Sequence, residues 1–209
     1  MSTTSERVRF AGLELLTAPG RVMTPRPATE QLVERSLARL GERPARVADV
    51  GSGSGAIAVA LALGAPLAEI WAVDMSPEAV ELTRANAALH GVAERVRVVQ
   101  GDLLEAIPGD LDVIVANLPY LPASSHADDC YADLRAEPVA AVFAPGDGLG
   151  PYRRLVRAGE ERLHADGALV LQYRGAVFEA SRPGLPGLLF ELEEAADGLS
   201  AAGRRARAA

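Results

Sequence analysis

The sequence predicts an α/β fold: a mostly parallel central sheet with helices on both faces. Three observations carry that expectation. Between residues 46 and 116, short apolar runs alternate with helix-period segments, the order expected of a parallel sheet whose faces are covered. A glycine-rich turn, GSGSG at 51–55, joins the first apolar run to the first of those helices. Hydrophobic residues make up 49% of the 209 residues and charged residues 23%, enough apolar material for a real core. One domain is expected over 1–209, with a lead-in and helix at 1–45, a core at 46–175 and an atypical segment at 176–209.

Taken in order, Arg7–Leu16 alternates loosely and is expected to pair as a hairpin with the segment near Val22. Two prolines flank Arg26 and hold the backbone extended there. Thr29, or the turn before it, is placed to cap a helix in which Leu32, Val33, Leu37 and Leu40 recur at helical spacing before Gly41 stops it. Arg46–Val50 reads as a strand, Ala56–Leu63 as a helix ended by Gly64, and Ala68–Val73 as a second strand ending at Asp74. Ser76, Pro77 and Glu78 then open a helix with a capping residue, a proline at its first position and an early acid; it runs to Leu89. Val96–Val99 is a third strand followed by Asp102, and Leu111–Ala116 a fourth followed by NLPY. Residues 119–148 show no long period, and thirty such residues far exceed an ordinary connection of about 4–6. They read as a functional loop with a short helix around Tyr131–Ala136. A helix over Leu149–His164, a turn at Asp166–Gly167 and a fifth strand over Ala168–Tyr173 follow. Gly187–Leu192 reads as one more strand, and the tail GRRARAA as frayed and solvated.

Composition excludes several chemistries. Lys and Arg total 21 against 28 Asp and Glu, a net charge of −7, which disfavours bulk attraction to nucleic acid or an anionic membrane. No lysine occurs, so Schiff-base chemistry and a phosphate-loop lysine are ruled out. The single cysteine, Cys130, excludes an internal disulfide and a Cys-rich metal site. His126, Asp128 and Asp129 share the long loop but make too thin a ligand set, so no metal is expected. The opening MSTTSERVRF has no apolar signal core, and no run reaches the ~18 apolar residues of a membrane span. A cytoplasmic protein is expected.

The glycine turn lets backbone approach a ligand closely, and the following helix aims its N–H groups at the same place. Two readings fit. Gly51, Gly53 and Ala56 satisfy a loose dinucleotide pattern, with Asp74 placed 25 residues after Asp49 to take ribose hydroxyls, as a nicotinamide enzyme requires. The same residues suit a sulfonium nucleoside, S-adenosylmethionine, whose ribose makes the same demand. Asp49, immediately before the turn, would repel a pyrophosphate and suit an ammonium. Asp102 can accept the exocyclic amine of adenine, and Leu103 can cover the ring. All three acids fall at strand ends, where an open sheet binds ligands.

Asn117, Leu118, Pro119 and Tyr120 follow a fully apolar strand and share the rim of the glycine turn. The Asn117 side-chain oxygen and a nearby carbonyl can each accept one N–H of a planar NH₂ group, and Tyr120 can stack on its plane. Such a grip gains rate mostly by alignment, with the acceptors helping to move positive charge onto nitrogen.

On these residues the chain resembles the class I S-adenosylmethionine-dependent methyltransferases, with a Rossmann-like fold. More closely it resembles the glutamine N5-methyltransferases of release factors, the HemK/PrmC group. The resemblance covers roughly residues 20–175 and runs through Pro25, Arg26, Pro27, Thr29 and Glu30; VADVGSGSGAIAVALA; VDMSPEAVELTRANAALHG; DVIVANLPYLP; and EPVAAVFAPGDGLGPYRRLV. It implies that Gly51, Ser52, Gly53 and Gly55, with Asp49, wrap the methionine part of the cofactor. Asp74 and Met75 would take the ribose side, and Asp102 and Leu103 the adenine. Asn117, Leu118, Pro119 and Tyr120 would form the acceptor site, with Arg26, Pro27 and Glu30 in its wall. The acceptor implied is a protein glutamine amide, or else a small-molecule or nucleobase amine.

The sequence departs from that pattern in places. Leu118 replaces a proline, and LVLQYRG at 169–175 carries Gln172 and Tyr173 where the family reads LxxEIG. The chain is also expected to lack the family's N-terminal helical domain. Two other readings stay open: a nicotinamide-dependent oxidoreductase and a non-catalytic cofactor-binding protein.

Overall fold

A computed structural model of the chain describes residues 6–207, and their side chains except those of Ala127, Asp129, Cys130, Asp133 and 198–207. The elements in chain order begin with β1 (Glu6–Phe10), β2 (Leu13–Thr17), α1 (Glu30–Leu40), β3 (Ala45–Val50) and α2 (Ala56–Gly64). Next come β4 (Ala68–Asp74), α3 (Pro77–Leu89), β5 (Val96–Gln100) and β6 (Leu111–Ala116). The long loop holds β7 (Leu121–Pro122), α4 (Val139–Val142) and β8 (Phe143–Ala144). The chain closes with α5 (Gly150–Arg162), β9 (Leu163–Tyr173), β10 (Ala176–Ser181) and α6 (Leu185–Arg207).

The central sheet has the order β10–β9–β6–β3–β4–β5. β10 is antiparallel to β9, and the other pairings in this sheet are parallel. Parallel strands buried on both sides need no polar face, and their residues divide by simple alternation. Val47, Val113, Val115 and Val170 pack on the side of α1 and α2, with Leu32, Leu40 and Ile57. Ala48, Val50, Ile114, Leu169 and Leu171 pack on the other side, with Tyr152, Leu155 and Leu188 of α5 and α6. Residues 56–62 of α2 are buried all round, which an AIAVALA helix permits because no face of it is polar.

The α/β expectation holds, with mostly parallel strands between two helical layers, and several local expectations do not. The first hairpin does not reach Val22: it closes on itself, pairing Glu6 with Thr17 through a tight turn at Ala11–Gly12. A 3-10 segment over Asp129–Leu134, preceded by another over Ala123–Ala127, stands where a helix around Tyr131–Ala136 was expected. The side chains of Asp129 and Cys130 lie outside the described residues. Asp166–Gly167 does not separate helix from strand. β9 already starts at Leu163 and absorbs the pair as a bulge, so that two steps of β6 (Leu111 to Val113) oppose five of β9 (Leu163 to Ala168). Gly187–Leu192 is helical, and the helix continues to Arg207, so the backbone is not frayed that far; Ala208 and Ala209 lie outside the described residues. Leu185, Leu188 and Leu192 explain the helix, since they recur at helical spacing and are buried against α5 and the sheet.

One buried side chain ties the N-terminal hairpin to the core. Asn86 of α3 is fully buried. Its Oδ1 accepts from Leu16 N at 2.8 Å, and its Nδ2 donates to Leu16 O at 3.0 Å and to Ser54 O at 2.8 Å. Hairpin, glycine turn and α3 therefore share one fully used carboxamide. Asn86→Ala leaves three backbone groups without partners, at about 1–3 kcal/mol each where water cannot replace them. We expect a loss of at least about 2 kcal/mol in urea unfolding; an unchanged midpoint would show that the hairpin is not held by this residue.

Candidate functional site

The order of the sheet reverses at β3. The chain runs outward through β4 and β5, then returns to β6 on the other side of β3. Loops after β3 and β6 therefore diverge at their carboxyl ends and leave a crevice, the usual ligand position of an open α/β sheet. A cavity of about 480 Å³ opens there. That lies within the ~300–1,000 Å³ of small-molecule sites.

One wall is the glycine turn. Gly51, Ser52 and Gly53 line the cavity. Gly51 has φ +73°, and a Cβ on it would lie 2.9 Å from Leu118 Cδ2, so the turns after β3 and β6 touch with no room for a side chain between them. Asp74, at the end of β4, also lines the cavity. Its Oδ2 accepts from Gly53 N at 2.8 Å and its Oδ1 from Ser76 N at 2.9 Å. Two backbone donors fix the carboxylate, and each oxygen keeps acceptor capacity for a further donor. Met75 sits at the mouth with 66% of its surface exposed. Beyond β5, Asp102 and Leu103 complete this side, and Arg154 Nη2 holds Asp102 Oδ2 at 2.7 Å.

Opposite stand Asn117, Leu118 and Pro119. Asn117 Nδ2 donates to Thr29 Oγ1 at 3.2 Å. The Leu118 carbonyl accepts from the hydroxyl of Tyr152 at 2.9 Å, and that oxygen lies 2.6 Å from the Gln172 carbonyl as well. A hydroxyl has one proton, so the two carbonyls share it and neither is saturated. Burial pushes the Tyr152 phenol well above its ordinary range, so it acts as a fixed donor.

Several of the predicted site residues lie off the cavity wall. Asp49 is fully buried beneath the glycine turn, where its Oδ2 accepts from Ala58 N at 3.0 Å and its Oδ1 has no partner. Gly55 turns against Thr83 at the back of the loop. Tyr120 packs edge-on against Tyr173 with ring centres 5.4 Å apart instead of facing the cavity. Pro27 begins the 3-10 turn that delivers Thr29, and Glu30 Oε1 accepts from Ala11 N of the hairpin at 2.9 Å. Arg26 does line the cavity.

Sequence reasoning missed much of the roof. Phe10, Val22, Met23, Pro138, Ala140 and Ala141 all line the cavity. They come from the lead-in and the long loop, joined where Glu137 Oε2 accepts from Thr24 N at 3.1 Å. Glu and Pro at 137–138 were visible as a motif, but nothing in the spacing gives their partner. The long loop closes on the acceptor side through Gly148, whose φ is +87° and whose added Cβ would lie 2.1 Å from the Tyr120 carbonyl oxygen. Among the described residues no group of three His, Cys, Asp or Glu could hold a metal, and no helix is long and apolar enough to cross a membrane.

Residues 27–142 match the Methyltransferase small domain family. The chain belongs to that family. A release factor glutamine methyltransferase of Deinococcus radiodurans is 42% identical over 79% of this chain and 58% of its own length. A ribosomal protein uL3 glutamine methyltransferase of Bordetella pertussis is 36% identical over 85% of the chain and 61% of its own length. The chain thus spans about six-tenths of the length of these curated relatives. In fold, it is similar to the T. thermophilus 16S rRNA N2 G1207 methyltransferase, solved with AdoMet and guanosine. That likeness has a TM-score of 0.58 at 22% identity, over 80% of this chain and 41% of the other.

In this methyltransferase-family chain, Asp49 gives the site's base a pH dependence. Burial, opposed by the hydrogen bond from Ala58 and reinforced by the charge of Asp74, raises its pKa from 3.8 to about 7. Between those values the folded state holds a proton that the unfolded state has lost, so this group destabilises the fold as pH rises from about 4 to about 7. Asn at 49 keeps the acceptor for Ala58 N and never ionises. The melting temperature of Asp49→Asn should draw ahead of the unsubstituted protein across that interval and hold its lead above it. Parallel profiles from pH 4 to pH 8 would refute the burial argument.

Proposed function

We propose that the chain is an S-adenosylmethionine-dependent N-methyltransferase acting on the side-chain amide of a glutamine in a protein. One observation carries the reading: the glycine turn with Asp74 and the Asn117 carboxamide face one cavity from adjacent strands of the sheet. The residues suit that cofactor. A glycine cradle admits close approach, Asp74 retains acceptors for two ribose hydroxyls, and Leu103 and Met75 offer apolar cover for a purine. Asp102 keeps Oδ1 for an exocyclic amine while Arg154 holds Oδ2. Asp49 shapes the turn from below instead of touching the cofactor.

When bound, S-adenosylmethionine supplies a methyl group on a sulfonium: the S–CH₃ bond breaks with its electron pair passing to sulfur as the N–CH₃ bond forms, and the nitrogen loses a proton. The chain's own part is alignment. Asn117 Oδ1 and the Leu118 carbonyl accept the two N–H groups of the amide and turn its nitrogen toward the methyl. They also draw off positive charge as it reaches nitrogen. No strong base is needed, because the proton becomes acidic only after transfer. Arg26 borders the cavity, and Tyr120 backs the loop by packing against Tyr173.

The choice of a protein glutamine is supported by the two curated relatives, both named as glutamine methyltransferases. A net charge of −7 sets the chain against a nucleic-acid acceptor. Calorimetry should show binding of S-adenosylmethionine and S-adenosylhomocysteine and none of NAD; the reverse would refute the cofactor. Labelled methyl should pass to a glutamine of a release factor or of ribosomal protein uL3. Asn117→Ala should lower that turnover at least about a hundredfold with cofactor affinity unchanged. Full turnover in that variant would move the acceptor site elsewhere.

A further inference from the structure

We infer that Thr29 is a positioning residue that anchors the Asn117 carboxamide at the cavity. The inference rests on the reading above, in which Asn117 grips the acceptor nitrogen. A carboxamide carries an acceptor on one side and a donor on the other. Facing a substrate NH₂ with Oδ1, it binds; facing it with Nδ2, it sets donor against donor. The terminal torsion of asparagine is broad and roughly two-fold, so the side chain does not choose for itself. The bond from Nδ2 to Thr29 Oγ1, 3.2 Å, pins that torsion; a hydroxyl donates as well as accepts, so it holds the carboxamide in place and the N–H donors of the acceptor select Oδ1. With Nδ2 committed there, Oδ1 is the atom left for the cavity that Asn117 lines.

Two further observations separate this from an ordinary helix cap. Thr29 occupies the N-cap position of α1, where a threonine hydroxyl normally accepts a backbone N–H of the first turn from an extended backbone. Here the backbone is helical, with φ −85° and ψ −10°, and the side chain makes no cap bond. Thr29 is 8% exposed, and its hydroxyl is withheld from its usual local partner. The turn that carries it is also braced from the sheet. Gln172, 3% exposed, donates from Nε2 to Ala28 O at 2.9 Å. The register that pairs Ala116 with Leu171 makes Gln172 the neighbour of Asn117 on the adjacent strand. One buried amide thus braces the turn that anchors the other, and a carboxylate at 172 could not donate this bond.

The test compares Thr29→Val, which keeps the shape and removes the hydroxyl, with Thr29→Ser, which keeps the hydroxyl. With a methyl-accepting protein, Val should lower kcat at least about tenfold and leave the affinity for S-adenosylmethionine unchanged, and Ser should restore kcat. A substrate-independent readout is the side-chain NH₂ resonance of Asn117, assigned by its loss in Asn117→Ala. It should shift in the Val variant and return in the Ser variant. An unshifted resonance in Val, or a Ser variant as slow as Val, overturns the inference even where the chain methylates its substrate. If the unsubstituted chain methylates no protein glutamine, the proposed function falls, and the resonance decides the role of Thr29 by itself. Should Val prevent folding, Thr29→Ala carries the same comparison.

Discussion

The reversal of strand order at β3 is the constraint on which the site depends. Once β4 and β6 lie on opposite sides of β3, the turns that leave β3 and β6 must part. Everything with chemical potential then collects at one edge without any long-range design. The glycine turn follows β3, Asp74 closes β4, and Asn117 follows β6, whose Ala116 is level with Val50 of β3. The same geometry explains the glycine at 51. Where two diverging loops still touch, at Gly51 and Leu118, one of them must give up its side chain.

The cavity is closed by a different kind of bond from the one that builds the sheet. Two broad apolar clusters hold the sheet to its helices. The roof rests on single polar groups that reach across long sequence separations: Asn86 to Leu16, Glu137 to Thr24, Gln172 to Ala28. Its apolar support divides: Phe10 and Leu15 of the hairpin join the core under α1 and α2, while the long loop rests on a small cluster around Leu121, Val142 and Phe143. Few buried contacts and backbone bonds near the surface place such a segment at the low end of local stability. That division suits the proposed function, in which the floor stays rigid and the roof admits part of another protein.

The sheet was legible because its signals are local. Apolar runs of β-branched residues, a capping serine with a proline behind it, and glycine stops each act within a few residues, and the strands from β3 to β6 lie where those signals put them. The C-terminal helix was less so. Gly184, Pro186 and Gly187 obscured the spacing of Leu185, Leu188 and Leu192, and tertiary packing overrode a poor local propensity. The first hairpin misled for the opposite reason. Its turn, Ala11–Gly12, puts a non-glycine residue at φ +48°, which sequence rules disfavour. At the site, the glycine turn, Asp74 and Asn117 could be read directly. The services of Thr29, Tyr152 and Asn86 could not, because each depends on a partner across the fold that no spacing reveals.

Three aspartates looked alike in the sequence, each at the end of a strand, and the structure gives them different work according to how far each stands from that end. Asp49 is still inside β3, one residue before its last, so alternation turns it to the face that carries Val47 and buries it under α2. Asp74 is the last residue of β4, where the strand no longer dictates a face, and two backbone N–H groups from the turns on either side draw its carboxylate to the rim. Asp102 lies two residues beyond β5, far enough out to meet Arg154 of α5. A step of one or two residues along a strand therefore separates a buried acid that resists ionisation from a rim acid held by backbone donors at the cavity. The alternation that makes a parallel sheet legible also sorts its acids into those that shape the site and those that face it.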